Sequence, residues 1–151
     1  MPIKIGWLVP DRVIYFKMIG HVRAVELLSD PTPTISRMEA SPQPFIHCIF
    51  DYSIVEDIPG LNVFAQSEFP RHPKFGWSVD FAHPSVVTRF ILSTTGTLFN
   101  LKTRSLDTYA EAISFLNQIE PAIPLDVSID DVQWYLEITD DEQHDLSEAS
   151  S

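Results

Sequence analysis

The chain is short of the residues that make staples, hinges and membrane anchors. Its 151 residues hold one cysteine and five glycines. A single thiol excludes an internal disulfide, and Cys48, inside the apolar run FIHCIF, reads as a small buried hydrophobe of a reducing compartment. That run is strand-sized, far below the roughly 20 apolar residues of a membrane helix. The opening MPIKIGWLVP lacks the apolar core and small-residue cleavage site of a signal peptide, so a cytoplasmic protein is expected. The histidines show no ligand spacing such as His-x3-His, and neither a glycine-rich phosphate cradle nor a Gly-x-Ser-x-Gly elbow is present. Neither a metal nor a cofactor is expected.

Positive charge is missing from one part of the chain. Residues 1–104 carry ten basic and nine acidic side chains, whereas residues 105–151 carry twelve acidic and no basic ones, out of a net charge of −11. Such an acidic end repels a nucleic-acid backbone and an anionic membrane surface, and neither is expected as a partner.

What is present reads as an α/β domain. IKIGWLV (3–9) and RVIYFKMIG (12–20) are β-rich runs separated by Pro-Asp, a connection short enough only for a hairpin. Val22, Val25 and Leu28 follow helical spacing, and DPTPT (30–34) breaks that helix, with Asp30 or Thr32 capping a second segment to about Ala40. FIHCIFDY (45–52) hardly alternates, the mark of a strand buried on both faces. A weak helix over about 61–69 and a strand over GWSVDFA (76–82) follow, arguing for a parallel crossover. Val86, Val87, Phe90, Ile91 and Thr94 then stand at helical spacing, LFNLKT (98–103) reads as a strand, and Asp107 opens a helix whose stripe is Tyr109, Ala112, Ile113 and Leu116, ended by Pro121. The predicted order is β-β-α-β-α-β-α-β-α, a mixed sheet with about four helices.

The last stretch carries two signals. Val132, Trp134, Leu136 and Ile138 alternate with polar neighbours as a strand does, while Ser128 and Asp131 resemble a helix capping box. The alternation favours the strand. The domain is expected over 1–124, with 125–139 as an extension and 140–151 as a disordered acidic tail.

The motif at the middle of the chain points to a family. FDYS (50–53) followed by DIPGLNVF (57–64) resembles the strand-to-helix block of STAS domains, the anti-sigma-factor antagonist fold, with Asp51, Ser53, Asp57, Gly60 and Leu61 in corresponding places. The hairpin GWLVPDRVIYFKMIG (6–20), the turn RHPKFGW (71–77) and the helix AEAISFL (110–116) resemble the SpoIIAA-like (STAS-like) family of small bacterial proteins over roughly 3–120. The resemblance places the phosphorylated serine at Pro59 and the serine before it at Ile58. Neither position has a hydroxyl, so a phospho-switch has no acceptor there.

Asp51, Ser53, Asp57, Pro59 and Gly60 therefore form the candidate functional turn. Asp51 and Asp57 could be a carboxylate pair for acid–base work, with Ser53 and with His72 or His83 as partners; turn and cap chemistry is the favoured reading, with no catalytic residue assigned. Trp134, with Leu136 and Ile138, is the candidate interface. The expected function is a non-enzymatic regulatory module acting by homodimerisation or by binding another protein. The alternative is a carrier or sensor of a small apolar ligand, which requires an apolar cavity of at least ~300 Å³ between sheet and helices.

Overall fold

Two β-rich runs joined by three residues fold back on themselves. Strands β1 (Ile3–Val9) and β2 (Val13–His21) pair antiparallel, turning where Asp11 adopts φ 66° and the Arg12 amide donates to the Val9 carbonyl at 3.0 Å. Aspartate is among the few side chains that tolerate this left-handed backbone. The structure is a computed structural model that describes residues 3–27, 29–58, 72–83, 85–98, 100–138 and 143–145.

The chain leaves the hairpin through α1 (Ala24–Leu27) and α2 (Thr32–Ala40), the broken helix expected at DPTPT. The Asp30 carboxylate accepts the Thr32 amide at 2.9 Å, and Pro33 sits in the first turn, where its missing donor costs nothing. Strand β3 (Ile46–Asp57) returns parallel to β2, β4 (Phe75–Phe81) lies parallel to β3, and after α3 (Val86–Leu98) comes β5 (Lys102–Leu106), parallel to β4. The crossover helix expected over 61–69 lies outside the described residues. Helix α4 (Tyr109–Ile119) follows, then a 3-10 turn (Ile129–Asp131) and strands β6 (Gln133–Ile138) and β7 (Gln143–Asp145). One seven-stranded sheet results, in the order β5-β4-β3-β2-β1-β6-β7.

Both faces of the sheet are covered. Ile14, Phe16, Cys48 and Tyr52 pack with Met38 of α2 on one side; Val13, Tyr15, Ile49, Val79 and Phe81 pack with Ala112, Ile113 and Leu116 of α4 on the other. The two-sided burial of β3 expected from its unbroken apolar run follows from this.

Four boundaries differ from expectation, each for a local reason. Strand β3 runs to Asp57, past the expected end at Tyr52, because Asp51 finds a buried partner and need not leave the sheet. Strand β5 begins at Lys102, after Asn100 turns the chain with φ 55°. Thr108, and not Asp107, caps α4: its hydroxyl accepts the Glu111 amide at 3.2 Å, while Asp107 faces Arg89 at 3.5 Å. The fourth is the domain limit at 124. Both C-terminal signals are real and adjacent: Ser128 and Asp131 cap the 3-10 turn, and the alternating run continues as β6, antiparallel to β1 with Ile3 opposite Ile138 and Ile5 opposite Leu136. The segment is an integral strand of the domain, not an extension. Within the expected disordered tail, Gln143–Asp145 form β7 against β6; residues 139–142 and 146–151 lie outside the described residues.

Strand β6 also corrects the candidate interface. Leu136 and Ile138 are buried in the chain's own core. Trp134 meets Tyr15 edge-on at 6.1 Å and lies under the Lys4 ammonium, 4.5 Å from the ring centroid. An open β1 edge takes up all three.

Candidate functional site

The candidate turn begins with Asp51, which is in the middle of a strand. Its carboxylate accepts the Tyr15 hydroxyl at 2.5 Å and the Ser53 amide at 2.8 Å, and it is buried. Burial, then the hydrogen bond to Asp51 and its charge, push the Tyr15 phenol far above its ordinary range, so it stays a donor. Asp57 lies six residues further along β3, about 20 Å away at about 3.3 Å per residue. The two carboxylates cannot act on one substrate atom. Ser53 is exposed between them, and Pro59 and Gly60 lie outside the described residues.

Asp57 closes a different contact. Its carboxylate meets His21 Nδ1 at 2.8 Å, and Glu56 meets the other ring nitrogen at 2.6 Å. The hydrogen bond to Asp57, its charge and then that of Glu56 raise the His21 pKa. A pKa raised on folding means that the pair stabilises the protein fully below the ordinary histidine value of about 6.5 and loses that contribution as pH rises through the folded pKa. A proton-NMR titration should place His21 above that ordinary value, and Asp57→Asn should return it toward 6.5. A His21 midpoint unmoved by Asp57→Asn removes this contact as the cause.

The structure brings His83 together with Asp80 and Tyr52, neither of them a candidate from the sequence. Asp80, near the end of β4, is buried and accepts from His83 Nε2, and the His83 ring stacks on Tyr52 at 5.8 Å with an interplanar angle of 25°. Ala82, at φ 59°, turns the chain so that His83 folds back onto Asp80. Burial, then the Asp80 charge, push the Tyr52 phenol well up. Tyr52 and Asp51 are consecutive on one strand and point to opposite faces, so His83 cannot meet Asp51 or Ser53 in a triad. His72 is elsewhere, 3.3 Å from Glu39. The signal for the buried pair was Asp-x-x-His at a strand end, DFAH, which looks like any loop until the backbone reverses.

His47 is the other buried histidine. Its Nδ1 accepts the Trp77 amide at 3.0 Å, which makes Nε2 the protonated nitrogen facing Glu120 at 3.1 Å; Arg12 holds the other Glu120 oxygen. Burial lowers the His47 pKa, and the Lys102 charge acts the same way against the opposing pull of Glu120. This network borders a groove of about 260 Å³ at the amino-terminal ends of β3, β4 and β5. The groove is open at the sheet's edge, not enclosed between sheet and helices as the carrier reading requires. No three His, Cys, Asp or Glu side chains converge as metal ligands among the described residues, and no described helix is long and apolar enough to cross a membrane.

Helix α3 presents the last feature. Thr88 is buried and Ile91 half-buried toward the sheet, while Val86, Val87 and Phe90 are 85, 67 and 66% exposed. The apolar spacing that predicted the helix belongs largely to its outer side.

No protein-family model matches the sequence, and no curated protein does. A solved structure resembles the fold: the crystal structure of an uncharacterized protein from the DUF3478 family, with a SpoIIAA-like fold, from Shewanella loihica PV-4. The two agree with a TM-score of 0.54 at 14% sequence identity, over 76% of this chain and 91% of that one. The chain has a SpoIIAA-like fold. At that identity the likeness carries architecture alone. Within the SpoIIAA-like fold, the β3 residues Asp51 and Asp57 hold neighbouring strands together, while the groove and the α3 face present exposed apolar surface among the described residues.

Proposed function

We propose that this chain is a non-enzymatic STAS-like interaction module of the cytoplasm that self-associates through the outer face of α3. The observation that carries the reading is the exposure of Val86, Val87 and Phe90 on one helix. Isolated exposed apolar residues are ordinary on a protein surface; a contiguous set marks a contact. Arg89 is the only charged residue of α3, and its guanidinium is turned to Asp107 and to the Ser105 carbonyl at 3.0 Å. Val86, Val87 and Phe90 thus form an apolar patch, with the half-exposed Arg89 beside it turned to Asp107, on a molecule of net charge −11.

A second copy fits such a face better than a charged partner does. Two copies repel through their acidic parts, and this patch opposes no charge to itself across a two-fold axis. Three anchors per copy make a contact at the small end of the interface scale, below about 1,200 Å² in total, where association is reversible. The divergence of Asp51, Ser53, Asp57 and His83 supports a non-enzymatic role, and the missing hydroxyls at Ile58 and Pro59 support control by association instead of phosphorylation.

Light scattering over a concentration series should show the mass rising from monomer to dimer. Phe90→Glu should hold it at monomer, with the melting temperature unchanged because Phe90 is mostly exposed. A wild-type chain that stays monomeric throughout sinks the proposal, and a dimer that survives Phe90→Glu moves the contact to another face.

A further inference from the structure

We propose that the groove at the amino-terminal ends of β3, β4 and β5 binds a small organic carboxylate with an apolar body. Its walls are Phe45, Phe75, Trp77, Leu101 and Ile119, and Lys102 stands on its rim. Phe45 and Ile119 remain 53 and 43% exposed, so the walls offer apolar surface that the fold leaves uncovered.

The polar groups around the groove define the ligand's charge. Glu120, the acidic group on this side, is held by Arg12 and by His47 Nε2–H. His47 has both ring nitrogens committed, the second to the Trp77 amide, so it forms a fixed wall and offers a ligand neither a donor nor an acceptor. Lys74 is tied to the Ser41 carbonyl at 2.6 Å. Lys102 remains: no carboxylate among the described residues is paired with it, and its charge is felt at His47. In the β4–β5 register Lys102 is the partner of Trp77, adjacent strands lie about 4.8 Å apart, and both residues line the groove, so the two stand side by side at one place.

An ammonium beside aromatic walls is complementary to a molecule with an anionic head and a flat or aliphatic body. The volume of about 260 Å³ is below the ~300–1,000 Å³ of pockets for drug-sized ligands, which limits the body to one ring or a short chain. The carboxyl end of α4 reaches the same rim at Ile119, and its partial negative charge disfavours a dianion such as a phosphate monoester. One ammonium suits one carboxylate. This proposal stands apart from the α3 contact, whose Phe90 does not line the groove.

The test uses the full chain and two probes of the same shape, 4-phenylbutyrate and 4-phenylbutan-1-ol, followed by calorimetry and by the indole proton of Trp77 in NMR spectra. The acid should bind one to one and shift the Trp77 signal, with the alcohol at least tenfold weaker. Lys102→Met should weaken the acid at least tenfold and leave the alcohol unchanged, while Phe45→Ser should weaken both. Both residues are exposed, so the variants should melt with the wild type, and Phe90→Glu should bind the acid normally. Equal binding of acid and alcohol, an acid affinity untouched by Lys102→Met, or no binding at millimolar probe overturns the proposal. So does a Trp77 signal that moves with protein concentration and not with probe, since the groove would then belong to a contact between copies.

Discussion

Leu136→Ala should cost about 2–5 kcal/mol of stability, and ending the chain after Val132 should leave it unable to fold. Leu136 is 1% exposed and faces Ile5 across the β1–β6 pair, where Ile3, Ile138 and Tyr135 complete the same cluster. Shortening its side chain removes buried methyl groups from a place the sheet backbone prevents from closing. For a chain of this size the melting temperature should fall by about 5–15 °C. Removing the whole strand also strips β1 of its outer hydrogen-bond partner. The measurement distinguishes a core strand from the interface segment that the alternating apolar pattern suggested. Were Leu136 an intersubunit contact, Leu136→Ala would lower the dimer fraction and spare the monomer's melting temperature.

The second large effect is expected at Gly76. A β-carbon added there would lie 2.5 Å from His47 Nδ1 and 3.2 Å from the Ile46 carbonyl, so the imidazole must move. Moving it breaks the bond from the Trp77 amide and the contact with Glu120. Overpacking at about 1–3 kcal/mol and an unsatisfied buried donor at about 1–3 kcal/mol together give roughly 2–6 kcal/mol for Gly76→Ala. Gly20→Ala is the instructive comparison. It stands at φ +61° with nothing within 4 Å of the added carbon, so only the left-handed backbone is penalised, at roughly 1–2 kcal/mol. Urea denaturation of the two variants should rank them in that order; a Gly76→Ala protein as stable as wild type would show that His47 is not held as described.

How far the sequence could be read depended on where the partner of each residue lies along the chain. The hairpin at Pro10-Asp11 and the helix break at DPTPT are local, set by turn and proline chemistry, and both are found. Asp51 and Ser53 looked like the end of a strand because a carboxylate and a hydroxyl usually leave an apolar run. The hydroxyl that keeps Asp51 inside belongs to Tyr15, 36 residues away, and no local pattern contains it. Helix α3 shows another limit: periodicity finds an apolar side without saying what covers it, and here Val86 and Phe90 face outward. At the C-terminal segment two patterns competed for the same residues, and each holds over its own half, the cap at Ser128 and the strand from Gln133. The likeness drawn from FDYS, DIPGLNVF and the hairpin led to the right architecture. Of the site that it suggested, Asp51, Ser53 and Asp57 are spread along β3, while Pro59, Gly60 and Leu61 lie outside the described residues.

The placement of β6 beside β1 also sets the order in which the protein can be made. Ile5 waits for Leu136, 131 residues later, to cover it. At roughly 5–20 residues per second the ribosome leaves that first strand with one open edge for on the order of ten seconds. An exposed edge carrying isoleucines is a template for misassociation, and a lysine on such an edge is a common guard against it. Lys4 stands between Ile3 and Ile5, and its ammonium ends over Trp134 once the late strand arrives. A charge that protects the nascent edge thus becomes a packing contact of the finished one.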